Sequence, residues 1–266
     1  MFLAIRGFKD GVNLDPYRDF MTELAEVSGE FIRPFYGRDG LEVELKADRS
    51  PVTAADRGAE ELMRRLIKGK FPSHGVIGEE FGSDRADAEF VWVLDPIDGT
   101  KSFISAVPLF GTLIALLHQG QPVLGCIHQP VLGQLLIGDN VSCSMGGNPV
   151  RTRDVRRIED ATLLTSDPVV IAREPAARGY PSLMGRAKLA RMWGDCYGYL
   201  LVATGSADVM YDPLMNPWDI AALVPVIRGA GGVITDSAGN PPYPAKSIVA
   251  AATPELHALV IAALNP

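Results

Sequence analysis

One stretch of the chain limits its possible folds more than any other: an apolar segment that runs directly into the turn Asp95-Pro-Ile-Asp-Gly-Thr100. A short apolar run bounded by turn residues predicts a buried strand over residues 90–94. Asp95 then projects from the carboxyl end of that strand, where α/β folds usually bind their ligands. The pattern favours an α/β protein with a ligand site at this edge of a sheet.

The turn itself has the composition of a cation and phosphate site. Asp95 and Asp98 are held close by the stiff Pro96, and two carboxylates repel each other unless a cation lies between them. Oxygen ligands select hard ions such as Mg²⁺. Gly99 leaves room for a ligand near the backbone, and its amide and that of Thr100 are available to a phosphate if a helix starts there. The alternative is an Asx turn in which both acids only satisfy loop amides.

Acids in the first part of the chain also have two interpretations. Glu79 and Glu80 follow a predicted strand over residues 75–78, either as ligands or as a solvated acidic turn. Asp56 lies three residues after Thr53, a spacing that also forms a capping box at a helix start.

The second part of the chain carries three further acids of this kind. Asp219 stands in Asn216-Pro217-Trp-Asp, where it is either a ligand or an acid that complements a helix dipole. Asp212 precedes a proline and is either a site residue or a turn residue. Asp195 lies directly before a predicted helix, where an acid can act as the helix cap.

Periodicity along the rest of the chain predicts mixed α and β structure with sheets covered by helices. The predicted helices span residues 15–36, 196–204, 217–228 and 254–264, with one more from a cap at Thr53 to just before Pro72 in which Leu62 and Leu66 are buried. The predicted strands span residues 75–78, 90–94, 112–117, 123–127, 135–137, 161–164, 189–193, 209–211, 232–235 and 248–251. The Gly- and Pro-containing stretch 146–153 predicts a division into parts 1–153 and 154–266.

Composition excludes several function classes. The 266 residues are 47% hydrophobic, and the net charge of −7 argues against a nucleic-acid or anionic-membrane binder. The start of the chain does not resemble a signal peptide, and no apolar run reaches the roughly 18 residues of a membrane span. Three widely spaced cysteines indicate neither a disulfide framework nor a zinc site, so a cytoplasmic location is expected.

Five segments in order, SPVTAAD, GEE, LDPIDGT, LVATGSAD and PWDIAALVPVIRGAGG, together resemble the inositol monophosphatase family of Mg²⁺-dependent, lithium-sensitive phosphatases. The match covers nearly the whole chain. The resemblance implies a layered αβαβα sandwich of the inositol monophosphatase and fructose-1,6-bisphosphatase type. It places the site between the two halves, and it implies a homodimer, which is common among relatives.

The resemblance also implies metal ligands at the matching positions. Glu79, Asp95 and the backbone carbonyl of Ile97 would hold one Mg²⁺. Asp95, Asp98 and Asp219 would hold a second, with Asp95 bridging. A third, weaker ion is expected near Glu79, which makes two or three ions per site.

The remaining implied roles concern water and phosphate. Thr100 would hydrogen-bond to Asp56, and Thr100 together with Glu79 would orient and deprotonate the attacking water. The amides of Gly99 and Thr100 would contact the phosphate, with Asp219 also at the substrate. The implied reaction is two-metal phosphoryl transfer to water, with no protein nucleophile.

One subgroup fits best, because the segment after Asp98 and the segment Trp193-Gly-Asp-Cys-Tyr-Gly-Tyr199 look like those of histidinol-phosphate phosphatases. Asp195 and Asp212 would pair with the cationic end of that substrate. Lys101 is either a phosphate-steering residue or a solvated charge. The tyrosines of the second segment are expected to pack in the core.

These features predict hydrolysis of L-histidinol phosphate to L-histidinol and phosphate, a step of histidine biosynthesis. An inositol-1-phosphate phosphatase is the main alternative. A 3′(2′),5′-bisphosphate nucleotidase is disfavoured because the chain is short, and a non-catalytic metal-binding scaffold because every expected acid is present.

Overall fold

The computed structural model describes residues 12–46 and 50–266, in which helices and strands form five alternating layers. The helices are α1 (Asp15–Ile32), α2 (Ala54–Lys70), α3 (Thr100–Ile104), α4 (Pro168–Arg173), α5 (Tyr180–Arg186), α6 (Asp195–Ala203), α7 (Pro217–Ala221), α8 (Leu223–Gly229) and α9 (Pro254–Leu264). Single 3₁₀ turns occur at Arg33–Phe35, Ile158–Asp160 and Pro175–Ala177.

Two large sheets provide the β layers. The strands are β1 (Glu44–Leu45), β2 (Pro51–Val52), β3 (Gly75–Gly78), β4 (Gly82–Asp84), β5 (Phe90–Asp98), β6 (Gly111–His118), β7 (Gln121–Gln129), β8 (Gln134–Gly138), β9 (Cys143–Met145), β10 (Asn148–Pro149), β11 (Thr162–Leu164), β12 (Leu189–Arg191), β13 (Val209–Asp212), β14 (Val233–Thr235) and β15 (Ile248–Ala251). The eight-stranded sheet has the order β10-β9-β8-β7-β6-β5-β3-β4, and the five-stranded sheet has the order β12-β11-β13-β15-β14. A small pair, β1 and β2, stands apart from both.

Side chains along β5 alternate between the two faces of the eight-stranded sheet, and both faces are covered by helices. Trp92 and Leu94 pack with α1 and α2 on one side, whereas Val91 and Val93 pack with α6, α7 and α8 on the other. Successive side chains of a strand point to opposite faces, so a strand that is apolar at every position is buried on both. These residues place β5 in the middle of the sandwich.

The second sheet divides its side chains in the same way. Met210 and Ala250 join the core shared with the central helices, whereas Tyr211 and Val249 pack in a separate core under α5 and α9. The layers are therefore α1 and α2, the large sheet, the central helices, the small sheet, and α5 and α9. This is the αβαβα sandwich that the sequence predicts.

Two glycines set the distance between the large sheet and the central helices. A Cβ atom on Gly125 would lie 2.2 Å from the carbonyl oxygen of Ala222, and one on Gly138 would lie 2.5 Å from the Cα of Val226. Neither position has space for a methyl group. Backbone and helix therefore touch directly at these two points.

Most predicted elements are present with nearly the expected bounds. The strand over residues 75–78, the strand over 248–251 and the helix over 254–264 are confirmed to the residue. The hairpin of β6 and β7 is also confirmed. The stretch considered for a signal peptide, residues 1–11, lies outside the described residues. Within the described part of the chain, no helix has the length and apolar character required to cross a membrane.

The predicted helix over 217–228 is wrong, because α7 and α8 are separate helices. Pro225 has no N–H with which to reach the carbonyl of Ala221, so the hydrogen-bond ladder is interrupted there. The first helix ends at Ile32 rather than at Tyr36 and continues as a 3₁₀ turn.

The buried face of α2 also differs from the prediction. Met63 and Ile67 are fully buried, whereas Leu62 and Leu66 are only half-buried. The face toward the core is the one that carries Ala59, Met63 and Ile67, which lie at helical spacing. The short helices α3, α4 and α5 are absent from the sequence prediction because they span only five to seven residues.

Buried histidines should make the fold sensitive to acid. Burial lowers the pKa of His257 to about 4, whereas an unfolded histidine titrates near 6.5. Above pH 6.5 the ring is neutral in both states. As the pH falls from 6.5 to 4, only the unfolded state takes up the proton, so the free energy of unfolding decreases by up to about 3 kcal/mol.

We expect His257→Gln to remove most of this loss, since a glutamine can keep the contact that the ring makes with Thr235 Oγ1 at 2.8 Å. Urea unfolding at pH 8 and at pH 5 measures the change. His118→Gln is the control, because His118 contacts the exposed carboxylate of Glu89. The same acid loss in His257→Gln as in the wild type would contradict the assignment.

Candidate active site

Three carboxylates from the two halves of the chain meet between the sheets. Asp95, Asp98 and Asp219 each offer an oxygen, and these oxygens all lie within 4.8 Å of one another. Asp95 is fully buried, and the other two are half-buried. The structure thus brings together three of the residues that the sequence predicts as metal ligands.

A bulge in β5 aims the first two of these side chains. The strand continues to Asp98 rather than ending at Leu94, and Asp95 and Asp98 pair with Leu113 and Gly111 of β6. Three steps along β5 therefore oppose two steps along β6. Bulges re-aim side chains and are common beside active sites. Both carboxylates thereby come together at the carboxyl end of β5.

Each carboxylate of the cluster accepts a backbone N–H. The donors are Ile97 N for Asp95 Oδ1 at 3.1 Å, Cys196 N for Asp98 Oδ2, and Asn216 N for Asp219 Oδ2 at 2.7 Å. The contact from Cys196 joins the first residues of α6 to the end of β5. The contact from Asn216 is half of the capping box that starts α7.

Burial and mutual repulsion raise the pKa of the carboxyl groups in this cluster. For Asp95 the largest cause is burial, followed by the charges of Glu79, Asp98 and Asp219. Burial also raises the pKa of Asp98, with Asp195 and Asp219 adding to it. The pKa of Asp219 rises to about 7, again chiefly through burial.

A bound cation would relieve this repulsion. Within residues 12–46 and 50–266, none of the three carboxylates forms an ion pair with a Lys, Arg or His side chain. The cluster consists of oxygen donors alone, which suits a hard divalent cation.

Glu79 lies beside the cluster at the end of β3, and its charge contributes to the raised pKa of Asp95. Its Oε1 also accepts from Lys46 Nζ at 2.7 Å, and Lys46 reaches Glu80 Oε1 at 2.6 Å. Glu60 anchors the turn that follows β3, because its buried carboxylate accepts the Glu80 N–H at 2.8 Å.

Thr100 lies at the start of α3, with its hydroxyl near two acceptors. Its Oγ1 is 3.0 Å from the carbonyl oxygen of Ile97 and 3.4 Å from Asp56 Oδ1. The other oxygen of Asp56 accepts from both the N–H and the hydroxyl of Thr53. Asp56 is therefore a capping residue, as one interpretation of the sequence predicts, and it also lies beside Thr100.

Gly99 occupies a position that no other residue fits. Its φ of +92° is in the left-handed region, and a Cβ atom there would lie 2.8 Å from the carbonyl oxygen of Leu109 and 3.0 Å from Asp195 Oδ2. A helix does start at Thr100, as the phosphate interpretation requires. The first amides of a helix have no partner within it.

A cavity of about 140 Å³ opens between the halves beside the cluster, lined by Asp98, Lys101, Ser166, Asp167, Val170, Asp195, Asp212, Pro213, Leu214, Met215 and Asp219. Asp195 is the first residue of α6, with a φ of +51°, and the N-cap position before it is occupied by Gly194. Burial and the nearby Asp212 raise the pKa of Asp195 to about 7. The helix-cap interpretation of Asp195 is therefore wrong.

Asp212 is less free than the sequence suggests. Its Oδ1 accepts the Ser166 N–H at 3.0 Å, and its Oδ2 accepts the Tyr199 hydroxyl at 3.1 Å. Tyr199 is fully buried, so its expected place in the core is confirmed.

Sequence reasoning missed Lys46, Glu60 and Asp167. Glu60 leaves a local signal, because it lies one helical turn after Asp56 on the buried face of α2. Lys46 and Asp167 leave none, because their partners in the site are distant in sequence.

Comparisons with known proteins agree with this geometry. The sequence model of the inositol monophosphatase family matches residues 13–266. A histidinol-phosphatase of Chlorobaculum parvum is 41% identical over 228 residues, which cover 85% of this chain and 88% of that protein.

Two further proteins are similar over most of the chain. The bifunctional phosphatase IMPL2 of Arabidopsis thaliana, a chloroplastic protein, is 44% identical over 85% of this chain, which spans 66% of the plant protein. A solved inositol monophosphatase of Zymomonas mobilis is 36% identical with a TM-score of 0.86, and the match covers 96% of this chain and all of that one. The chain belongs to the inositol monophosphatase family and is a phosphoric monoester hydrolase.

Proposed function

We propose that the protein hydrolyses L-histidinol phosphate to L-histidinol and phosphate, with Mg²⁺ bound at the carboxylate cluster. The observation that carries the proposal is the acidic pocket beside the cluster, which suits a leaving group with a cationic end. The similarity to the Chlorobaculum parvum histidinol-phosphatase supports it. Cytoplasmic location and a homodimer are part of the same proposal; the three cysteines are free and buried, which agrees with a reducing compartment.

Two Mg²⁺ ions are proposed, with a third, weaker one near Glu79. Glu79, Asp95 and the Ile97 carbonyl would hold the first, and Asp95, Asp98 and Asp219 the second. Bound Mg²⁺ would neutralise the substrate phosphate and lower the pKa of a water molecule. The carbonyl oxygen of Ile97 has two lone pairs, so its contact with Thr100 leaves one for a ligand bond.

The proposed work of the protein's own groups is to position the water and move its proton. The Thr100 hydroxyl donates one hydrogen, to Ile97 or to Asp56, and its lone pairs stay available to a water molecule. Burial raises the pKa of Asp56, which makes it a better proton acceptor. Glu79 would share in removing the proton, and the amides of Gly99 and Thr100 would bind the phosphate.

Asp195 is proposed to recognise the leaving group, with a secondary part for Asp212, which lines the same pocket. Asp195 lines the pocket and is not the N-cap of α6, whereas both oxygens of Asp212 already accept hydrogen bonds from within the protein. A cationic amine or imidazole beside Asp195 would form a charge-assisted hydrogen bond. Asp219 would contact the substrate through its metal ligation.

Hydrolysis of inositol-1-phosphate is the second candidate. The observation that favours it is the similarity to the Zymomonas mobilis inositol monophosphatase, at 36% identity over nearly the whole chain. A neutral polyol, however, would leave the carboxylate of Asp195 without a cationic partner. The two candidates share the metal chemistry and differ only in the leaving group.

Asp95→Asn is expected to abolish turnover, because it removes the proposed bridging ligand. Phosphate release should also stop with a chelator and return with Mg²⁺. Asp84→Asn, at an exposed acid of β4 in the same half, is the matched control and should keep full activity. Turnover in chelator, or an active Asp95→Asn protein, would show that the cluster is not a catalytic metal site.

Thr100→Ala should lower kcat about 100-fold, the size expected for a positioned proton relay, while the unfolding curve stays unchanged. Thr100→Ser keeps the hydroxyl and is the control. Near-wild-type turnover in Thr100→Ala would mean that the residue only starts α3 and that Asp56 acts only as a cap.

The substrate assignment predicts that kcat/KM for histidinol phosphate exceeds that for inositol-1-phosphate at least about tenfold, from one charge-assisted hydrogen bond. Asp195→Asn should narrow this ratio mainly by weakening histidinol phosphate. Asparagine tolerates the positive φ of this position, so the backbone should persist.

Asp160→Asn, at an exposed acid that does not line the pocket, is the charge control. Equal or faster hydrolysis of inositol-1-phosphate by the wild type would overturn the substrate but leave the phosphatase in place.

A further inference from the structure

An ammonium group of the chain itself already lies in the substrate pocket. Lys101 Nζ is 2.9 Å from Asp167 Oδ2, and both residues line the cavity that contains Asp98 and Asp219. Lys101 belongs to α3 in the first half, whereas Asp167 precedes α4 in the second. The ion pair therefore spans the pocket from one half to the other.

Asp167 is held in a fixed orientation to receive this cation. Its Oδ1 accepts the N–H groups of Val169 at 2.8 Å and Val170 at 3.3 Å, which caps α4. Burial alone would raise its pKa, but the hydrogen bonds from Lys101 and from the Val169 amide bring the pKa below its ordinary value. The carboxylate is thus ionised, and its second oxygen faces Lys101.

Three of the other pocket carboxylates, those of Asp98, Asp212 and Asp219, are less suited to an incoming ammonium group. Both oxygens of Asp212 are used by Ser166 and Tyr199, and Asp98 and Asp219 belong to the cluster proposed for the metal. Among the described residues, the hydrogen-bond partner of Asp167 Oδ2 is the ammonium group of Lys101. The Lys101 side chain is 72% exposed, and so exposed an ion pair is easily broken.

We propose that Asp167 is a specificity-determining residue that binds the ammonium group of a 2-aminoalkyl phosphate, and that this group displaces Lys101. The inference rests on the proposed function and extends it from Asp195 to a second carboxylate. Lys101 then serves as the resident cation of the empty pocket and as a competitor of the substrate, rather than as a phosphate-steering residue.

The test compares 2-aminopropyl phosphate with propyl phosphate, which differ only in the amine. The ratio of their kcat/KM values is measured for the wild type, for Asp167→Asn, for Lys101→Met and for the double variant. Asp160→Asn serves again as the control for a lost charge outside the pocket. Asp167→Asn should lower the ratio about fivefold to tenfold, and Asp160→Asn should leave it within twofold.

Lys101→Met should raise the ratio about threefold, because no competitor then needs to be displaced. The same change made in the Asp167→Asn background should have no further effect. A ratio that stays within twofold in Asp167→Asn would overturn the proposal. So would an equal gain from Lys101→Met with and without Asp167, which would mean that Lys101 acts only through its general field.

Histidinol phosphate is measured in parallel on the wild type, so that the two proposals can fail separately. A wild type that rejects histidinol phosphate but keeps an Asp167-dependent preference for the aminated propyl ester would overturn the proposed substrate and support the ammonium site. If the wild type hydrolyses histidinol phosphate but the ratio for the two propyl esters is unchanged in Asp167→Asn, the proposed substrate is supported and the ammonium site is overturned.

Discussion

Repulsion among Asp95, Asp98 and Asp219 is the constraint around which the sandwich is organised. Three carboxylates within 4.8 Å of one another, withdrawn from water and without a basic partner in the described part of the chain, are unfavourable unless a cation joins them. The rest of the fold supplies what such a group requires: backbone amides to anchor each acid and rigid elements to prevent their separation. The closeness of the three carboxylates, which suits the binding of a cation, is thus also what makes the cluster unfavourable without one.

The anchoring is divided between the two halves in a way that couples them. The Cys196 N–H of α6 donates to Asp98, whereas Asp219 is held by its own helix start. The Lys101 and Asp167 ion pair makes a second link across the same pocket. The halves therefore meet mainly through charged groups at the site and through the apolar core beneath it.

Local signals in the sequence were sufficient to predict the elements that carry the carboxylate cluster. Three signals act over three to five residues each and are present in the structure: the apolar run before Asp95, the capping box of Thr53 and Asp56, and the Asn216-Pro217 start of α7. The motifs that resemble the family then joined these pieces into one site.

Long-range contacts could not be predicted in the same way. Lys101 and Asp167 are separated by 66 residues, and Cys196 and Asp98 by 98, so nothing local marks either pair. The left-handed backbone of Asp195 is also invisible in the sequence, because that conformation is imposed by its surroundings. The break at Ala222 depended on a single missing N–H, that of Pro225, within an otherwise convincing helical pattern.

Gly125 and Gly138 do not line the candidate site, yet the absence of their side chains affects its geometry. Because the backbone of the large sheet touches the start of α8 at Ala222 and Val226, the helix cannot slide along or lift from the sheet without a steric collision. Asp219 stands in α7, only three residues before that contact, whereas Asp95 belongs to the sheet itself. The two glycines thus set the spacing between the carboxylates of Asp95 and Asp219, and a single methyl group added at either glycine would change that spacing from a distance.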